Sequence, residues 1–191
     1  MLSFDPDRHR YFWDGVPVPS VTRVLQSTRL VDFSGINAEV LAYARSLGTS
    51  VHIATALDDT GDLVPESVPD VVAPYLAAWR RFRAECEFVP DRVEHRIFNH
   101  AYRYAGTLDR TGRMRKTPVL VDVKTGQPTR AAGYQTAAYL AALPRQEWRR
   151  KRFAVHLNPD GTYRLVPYLD RGDLAVFLAA LTIHNTIGAN Q

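Results

Sequence analysis

The chain has 191 residues, 46% of them hydrophobic and 23% charged, which is enough apolar material to bury a core and too little bias for a disordered or fibrous protein. Its net charge of +4 leans toward a polyanionic partner, and because only Lys116, Lys124 and Lys151 are lysines, most of its cations are arginines suited to phosphate. The single cysteine, Cys86, excludes an internal disulfide, a Cys-rich zinc site and a four-cysteine iron–sulfur cluster.

The opening "MLSFDPDRHRYFWDG" is charged and aromatic, and no apolar run approaches bilayer length, so a cytoplasmic protein is expected. "RYFWDGVPVPSVTRVL" reads as two short strands around an Asp14-Gly15 turn, with Ser20 placed to cap a following helix. Residues 36–57 are helical in pattern, and Gly48, Thr49 and Ser50 are expected to divide them, leaving His52 in the first turn of the second helix. "PDVVAPYLAAWRRFRAE" predicts a helix that buries Val72, Tyr75, Leu76, Trp79 and Phe82. Strands over 91–98, 101–109 and 118–124, with reversals at Asn99-His100 and Thr111-Gly112, predict an antiparallel meander. "TRAAGYQTAAYLAAL" predicts a helix closed by Pro144, "RFAVHLNPDGTYRLVPYL" a hairpin, and Leu174, Phe177, Leu178 and Leu181 a final helix. We expect one domain over residues 1–191: a hairpin and helix to 35, a core over 36–145, and a hairpin and helix over 146–191.

The charged residues inside "VLVDVKTGQ" stand out. In a strand, residues two apart share a face, so Asp122 and Lys124 project together while Val119, Val121 and Val123 face away. An isolated D-x-K is usually a solvated ion pair. Here Asp109 ends the preceding strand, and pairing of the two strands brings a second carboxylate toward Asp122. Two converging carboxylates repel unless a cation, by preference a divalent one with oxygen ligands, lies between them. A lysine beside such an ion can hold an attacking water and stabilise charge on a phosphate. No G-x-S-x-G is present and Cys86 lacks a motif, so nothing suggests acyl transfer.

"GTLD" (106–109), "VDVKTG" (121–126) and "YQTAAY" (134–139) together resemble the RecB-type branch of the PD-(D/E)XK nucleases. The resemblance implies an α/β, restriction-endonuclease-like core, with a central mixed sheet flanked by helices. It implies that Asp109, Asp122 and the Val123 carbonyl bind Mg²⁺ or Mn²⁺, that Lys124 is catalytic, and that Gln135 and Tyr139 belong to a Q-x-x-x-Y helix. "LGTSVHIA" is similar to the branch's G-x-x-x-H signature, which makes His52 a metal ligand, and Glu94 occupies a strand position where an acid often stands. The N-terminal stretch resembles phage-type members and the mitochondrial genome maintenance exonuclease, but the cysteines of iron–sulfur relatives are missing.

The substrate expected from this resemblance is DNA, as single strands or duplex ends, in phage or bacterial recombination, replication or repair, with a recombination or replication protein as a further partner. Tyr134, Gln135, Tyr139, Arg149, Arg150 and Lys151 are the expected DNA contacts. In "PRQEWRRKRF" the Trp148 ring would stack on a base, although a solvated basic loop fits the same residues. A structure-specific endonuclease and a non-hydrolytic binding module on the same fold remain as alternatives. Polarity and oligomeric state are not legible.

Overall fold

The computed structural model describes residues 1–189. A small antiparallel sheet leads the chain, made of β1 (Leu2–Asp5), β2 (Arg10–Trp13) and β3 (Val16–Val18). Asp14 and Gly15 turn β2 into β3 with φ of 49° and 78°, the left-handed pair whose twist matches the flanking strands. Ser20 then caps α1 (Val21–Ser27) by accepting the Arg23 N–H at 3.2 Å.

The second helix, α2 (Ala38–Thr60), runs unbroken through Gly48. The expected division does not occur. Glycine inside a helix costs about 1 kcal/mol, and both ends of α2 are strongly fixed: Asn37 accepts two N–H groups at the start, and Gly61 closes the end at φ 79°. His52 therefore sits well inside the helix. α3 (Ala73–Glu85) follows with Tyr75, Leu76, Trp79 and Phe82 buried, as its apolar spacing predicts.

The central sheet is ordered β4 (Phe88–Asn99), β5 (Tyr104–Met114), β6 (Thr117–Lys124), β7 (Lys151–Leu157) and β8 (Tyr163–Tyr168). β6 and β7 are parallel and the other neighbours antiparallel, so the sheet is mixed. α4 (Ala131–Ala142) makes the crossover that a parallel pair requires, and α5 (Asp173–Ala189) packs beside it. β6 shows the layering: Val119, Val121 and Val123 pack on the side of α2 and α3, while Leu120 packs under α1, α4 and α5. The fold is α/β, a mixed sheet flanked by helices on both faces, as expected. Among the described residues, no helix is long and apolar enough to cross a membrane.

The reversal between β5 and β6 falls at Arg115, φ 53°, and not at Thr111-Gly112. Gly112 is needed for a different reason. β4 bulges between Pro90 and Arg92, and the Val89 carbonyl oxygen stands where it would clash with a Cβ on residue 112.

Candidate active site

β5 and β6 pair as far as Arg110 opposite Val121 and then part. Counting one step further would set Asp109 opposite Asp122. Instead, Asp109 Oδ2 accepts the Val123 N–H at 2.7 Å, so a carboxylate replaces the ladder where the strands separate. The other edge of β5 is irregular at the same level: Val93 pairs with Arg110 and His95 with Leu108, while Glu94 between them is held at φ 46°. A left-handed backbone at glutamate costs on the order of 1–3 kcal/mol and persists only where its surroundings enforce it. Leu108 packs under α1, α4 and α5, whereas Arg110 is buried against α2 and α3. Residues two apart share a face in a regular strand, so β5 turns over at Asp109.

α2 brings His52 to this break. His52 Nδ1 lies 3.6 Å from Glu94 Oε1 and 3.7 Å from Asp109 Oδ1, and the three residues offer ligand atoms within 4.8 Å of one another. These gaps exceed hydrogen-bond length. They suit donors sharing one ion, since each would stand about 2.0–2.2 Å from it. Burial alone would lower the His52 pKa, but the Asp109 and Glu94 carboxylates outweigh it and leave the imidazole raised. Burial acts upward on Glu94, and His52 and Arg110 together hold it below the usual carboxylate range.

Asp122 is fully buried on the floor of the same break, with Lys124 Nζ 2.7 Å from its Oδ2. Neither oxygen accepts a well-formed hydrogen bond. Burial pushes its pKa up to about 6, partly opposed by Lys124 and reinforced by Asp109. Burial would lower Lys124, but Asp122 and Asp109 keep it raised, so the ammonium stays charged. A buried carboxylate with orphaned lone pairs is costly unless a cation completes it. Beside it, the imidazole and carboxylates of His52, Glu94 and Asp109 form a nitrogen and oxygen donor set that suits a divalent ion.

Beneath this lies a second charged cluster. Arg110, also fully buried, donates to Asp59 Oδ2 at 2.5 Å, Glu94 Oε1 at 2.8 Å, the Asp109 carbonyl at 2.7 Å and Thr55 Oγ1 at 3.1 Å. Trp79 Nε1 and Arg83 hold the other oxygen of Asp59, at 3.0 and 2.8 Å. Asp59 is nevertheless raised, because burial outweighs Arg110. Sequence reasoning missed this cluster. The available cue was the spacing of His52, Thr55 and Asp59, which places all three on one side of α2.

A cleft of about 1050 Å³ opens above Asp109 and Lys124. α1 supplies Arg23 to one wall and α2 supplies Arg45 to the other, and among the described residues neither forms an ion pair. Gln135 and Tyr139 reach the cleft from α4, with Gln135 Nε2 donating to the Tyr139 hydroxyl at 3.0 Å. Gly106 makes room for the ring, since a Cβ there would stand 2.7 Å from Tyr139 Cε1. Burial, then Asp109 and Asp122, raise the Tyr139 pKa, keeping the phenol protonated. His156, which the sequence did not flag, donates from Nδ1 to the Gly126 carbonyl at 2.6 Å and so ties down the loop after Lys124.

Not every expected residue gathers here. Within the close ligand group Glu94 stands where Asp122 was expected, Asp122 being paired with Lys124, and Val123 enters through its N–H to Asp109. Tyr134 is one residue from Gln135, about 100° around the helix, and packs against the core under α4 and α5. Arg149, Arg150 and Lys151 lie at the far end of the sheet. Lys151 pairs with Val119 and His156 with Lys124, five residues or about 17 Å apart along the strand. Arg150 is consumed by Asp91, Glu147 and the Gly112 carbonyl, where it braces the β4 bulge.

A family model described as the PD-(D/E)XK nuclease superfamily matches residues 34–167, from the approach to α2 through most of β8. No curated protein matches the chain. Among solved structures, the chain is similar to one described as "Crystal structure of SSO0001", at 14% identity over 76% of this chain and 73% of that chain, with a TM-score of 0.37. So distant a likeness carries no weight for function.

Proposed function

The chain belongs to the PD-(D/E)XK nuclease superfamily, and from that premise we propose that it is a single-domain, Mg²⁺- or Mn²⁺-dependent DNA exonuclease of the RecB-type, phage-type branch. Its setting is the cytoplasm of a bacterial or phage-infected cell, in recombination, replication or repair. The observation that carries the reading is the meeting of His52, Glu94 and Asp109 beside the Asp122–Lys124 pair.

His52, Glu94, Asp109, Asp122 and the Val123 carbonyl would hold the ion. When bound, a divalent ion lowers the pKa of water and polarises a phosphate oxygen. Lys124, kept charged by its two carboxylate neighbours, neutralises charge that grows on the phosphate and holds the attacking water. The protonated Tyr139 hydroxyl, steadied by Gln135, donates to a phosphate oxygen. Arg23 and Arg45 supply cations along the strand on either side. A cleft walled by α1 and α2, with a cation on each, suits a nucleic-acid strand entering between them.

The test uses oligonucleotides labelled at either end, as single strands, duplexes and closed circles, in Mn²⁺, Mg²⁺ and EDTA. We expect cleavage of linear DNA only, absent in EDTA, with Mn²⁺ at least as effective as Mg²⁺ because imidazole ligation favours the softer ion. Cut circles would make it an endonuclease. Binding with no metal-dependent cleavage would make it a binding module.

A further inference from the structure

α4 separates two cavities. Gln135 and Tyr139 face the cleft, while Leu140 on the other side of the helix lines a second cavity of about 580 Å³ at the start of β7. Trp148, Arg149, Lys151 and Arg171 border it. Trp148 is 47% exposed although its Nε1 is fixed to the Leu143 carbonyl at 2.9 Å, so the ring is open to solvent in a set orientation. Arg149, Lys151 and Arg171 are exposed and, among the described residues, none forms an ion pair. Their neighbours Arg150 and Arg152 behave in the opposite way. Arg152 donates to the Gly133 and Asp170 carbonyls at 2.7 and 2.8 Å and pairs with Asp173 at 3.0 Å. In one short run, two arginines are spent on holding the fold and the remaining cations are left at the mouth of a cavity beside an oriented indole.

We propose that this second cavity is an accessory binding site for single-stranded DNA, in which Trp148 stacks on a base and Arg149, Lys151 and Arg171 contact successive phosphates. Stacking on an aromatic ring with flanking cations is how unpaired strands are held without sequence preference. A duplex keeps its base faces covered and cannot use the indole. The inference deepens the nuclease reading and rests on it for its role: the strand being degraded would be held at a second point, beyond the bond that is cut.

Distance gives the test its form. The cavity lies about 17 Å from Lys124 along the strands, and because an unpaired strand extends well beyond the roughly 3.4 Å per nucleotide of a duplex strand, only a substrate as short as a dinucleotide is unable to reach both sites. We would compare the wild type with the Arg149→Ala/Lys151→Ala/Arg171→Ala variant, measuring binding of a 30-mer and a dinucleotide in EDTA across a salt series, and cleavage of both in Mn²⁺. The expected result is a 30-mer salt slope shallower by about 2, from three lost phosphate contacts on a single strand. Weaker 30-mer binding should accompany it, with dinucleotide cleavage unchanged. Trp148→Leu should weaken binding of the 30-mer single strand several-fold and leave duplex binding alone.

Equal losses on both lengths, or an unchanged 30-mer slope, would overturn the proposal. Equal loss of duplex binding in Trp148→Leu would overturn the stacking. The Arg149→Lys/Arg171→Lys variant keeps the charges and should keep the slope, which guards against a folding defect. Should the wild type cleave nothing while the slope still falls in the triple variant, the nuclease reading fails and the binding site stands.

Discussion

Two charged clusters touch at Glu94 and behave differently. Around Arg110, nearly every polar group is answered: the guanidinium reaches Asp59, Glu94, Thr55 and a carbonyl, and Trp79 and Arg83 close the far side of Asp59, with Arg83 Nε alone left without a partner. Around Asp109 and Asp122, the ladder is broken, a glutamate backbone is forced left-handed, a histidine stands outside hydrogen-bond range of two carboxylates, and Asp122 has Lys124 beside it but accepts no well-formed hydrogen bond. Buried polar groups are normally satisfied. The satisfied cluster is therefore support, and the unsatisfied one beside it is where a ligand completes the chemistry. Mutations should separate the two clusters, one through activity and the other through stability.

The largest effect is expected from Asp109→Asn. The amide oxygen can still accept the Val123 N–H, so the fold should keep its melting temperature within a few degrees while a charged ligand is lost. Cleavage should fall by about ten-thousand-fold or more, equivalent to about 5.5 kcal/mol, as measured with labelled DNA in Mn²⁺. A parallel collapse of stability would make Asp109 a structural residue instead.

Arg110→Met tests the other cluster. Removing one partner from a buried charge network costs about 3–5 kcal/mol because the remaining charge is stranded. Urea unfolding should show that loss, and adding Asp59→Leu should recover much of it, since apolar packing can replace a buried pair. If Arg110→Met left stability intact while abolishing cleavage, the division between the clusters would be wrong.

Above about pH 4 both clusters titrate, Asp59 in one and Asp122 and His52 in the other, and the unsatisfied cluster is the one on which a metal ion can act. The Asp122 pKa is raised from 3.8 to about 6, so the fold favours its protonated form. That contribution is fully present below pH 4 and is lost as pH rises through 6, by up to about 3 kcal/mol at 1.36 kcal/mol per unit. His52, also raised, contributes in the same direction above its ordinary value of 6.5. The metal-free protein should therefore melt lower as pH rises through 6. Asp122→Asn should remove most of that slope, and Mn²⁺ should reverse it, because the ion binds the carboxylate and the neutral imidazole. Melting curves in EDTA and in Mn²⁺ across this range would decide.

How much of this could be read beforehand depended on range along the chain. D-x-K shows its shared face within three residues, and Gln135 and Tyr139 theirs within five, because strand and helix periods are local facts. The layered α/β order was legible for the same reason. Glu94 was only a weak candidate, since its role comes from a left-handed backbone opposite Asp109 that no residue pattern announces. Arg110 and Asp59 meet across 51 positions of chain, and a buried arginine in a strand reads as an exposed one until its partners are known. In "PRQEWRRKRF" the charges were visible, but which arginines would be spent depended on Asp91, Glu147 and Asp173.

The smallest effects come from two glycines on opposite walls of the cleft, and they should carry opposite signs. Gly106→Ala places a methyl 2.7 Å from Tyr139 Cε1, so the ring must shift away from the hydroxyl position that Gln135 holds. Overpacking of this kind costs about 1–3 kcal/mol, and cleavage should drop by roughly tenfold because a displaced phenol no longer meets the phosphate. Gly48→Ala meets only Thr125 Oγ1, at an ordinary 3.6 Å, inside a capped helix where alanine is favoured by about 1 kcal/mol. That variant should melt a few degrees higher than the wild type. If Gly106→Ala were instead neutral in both stability and cleavage, the close approach of Tyr139 to β5 would have no part in the site.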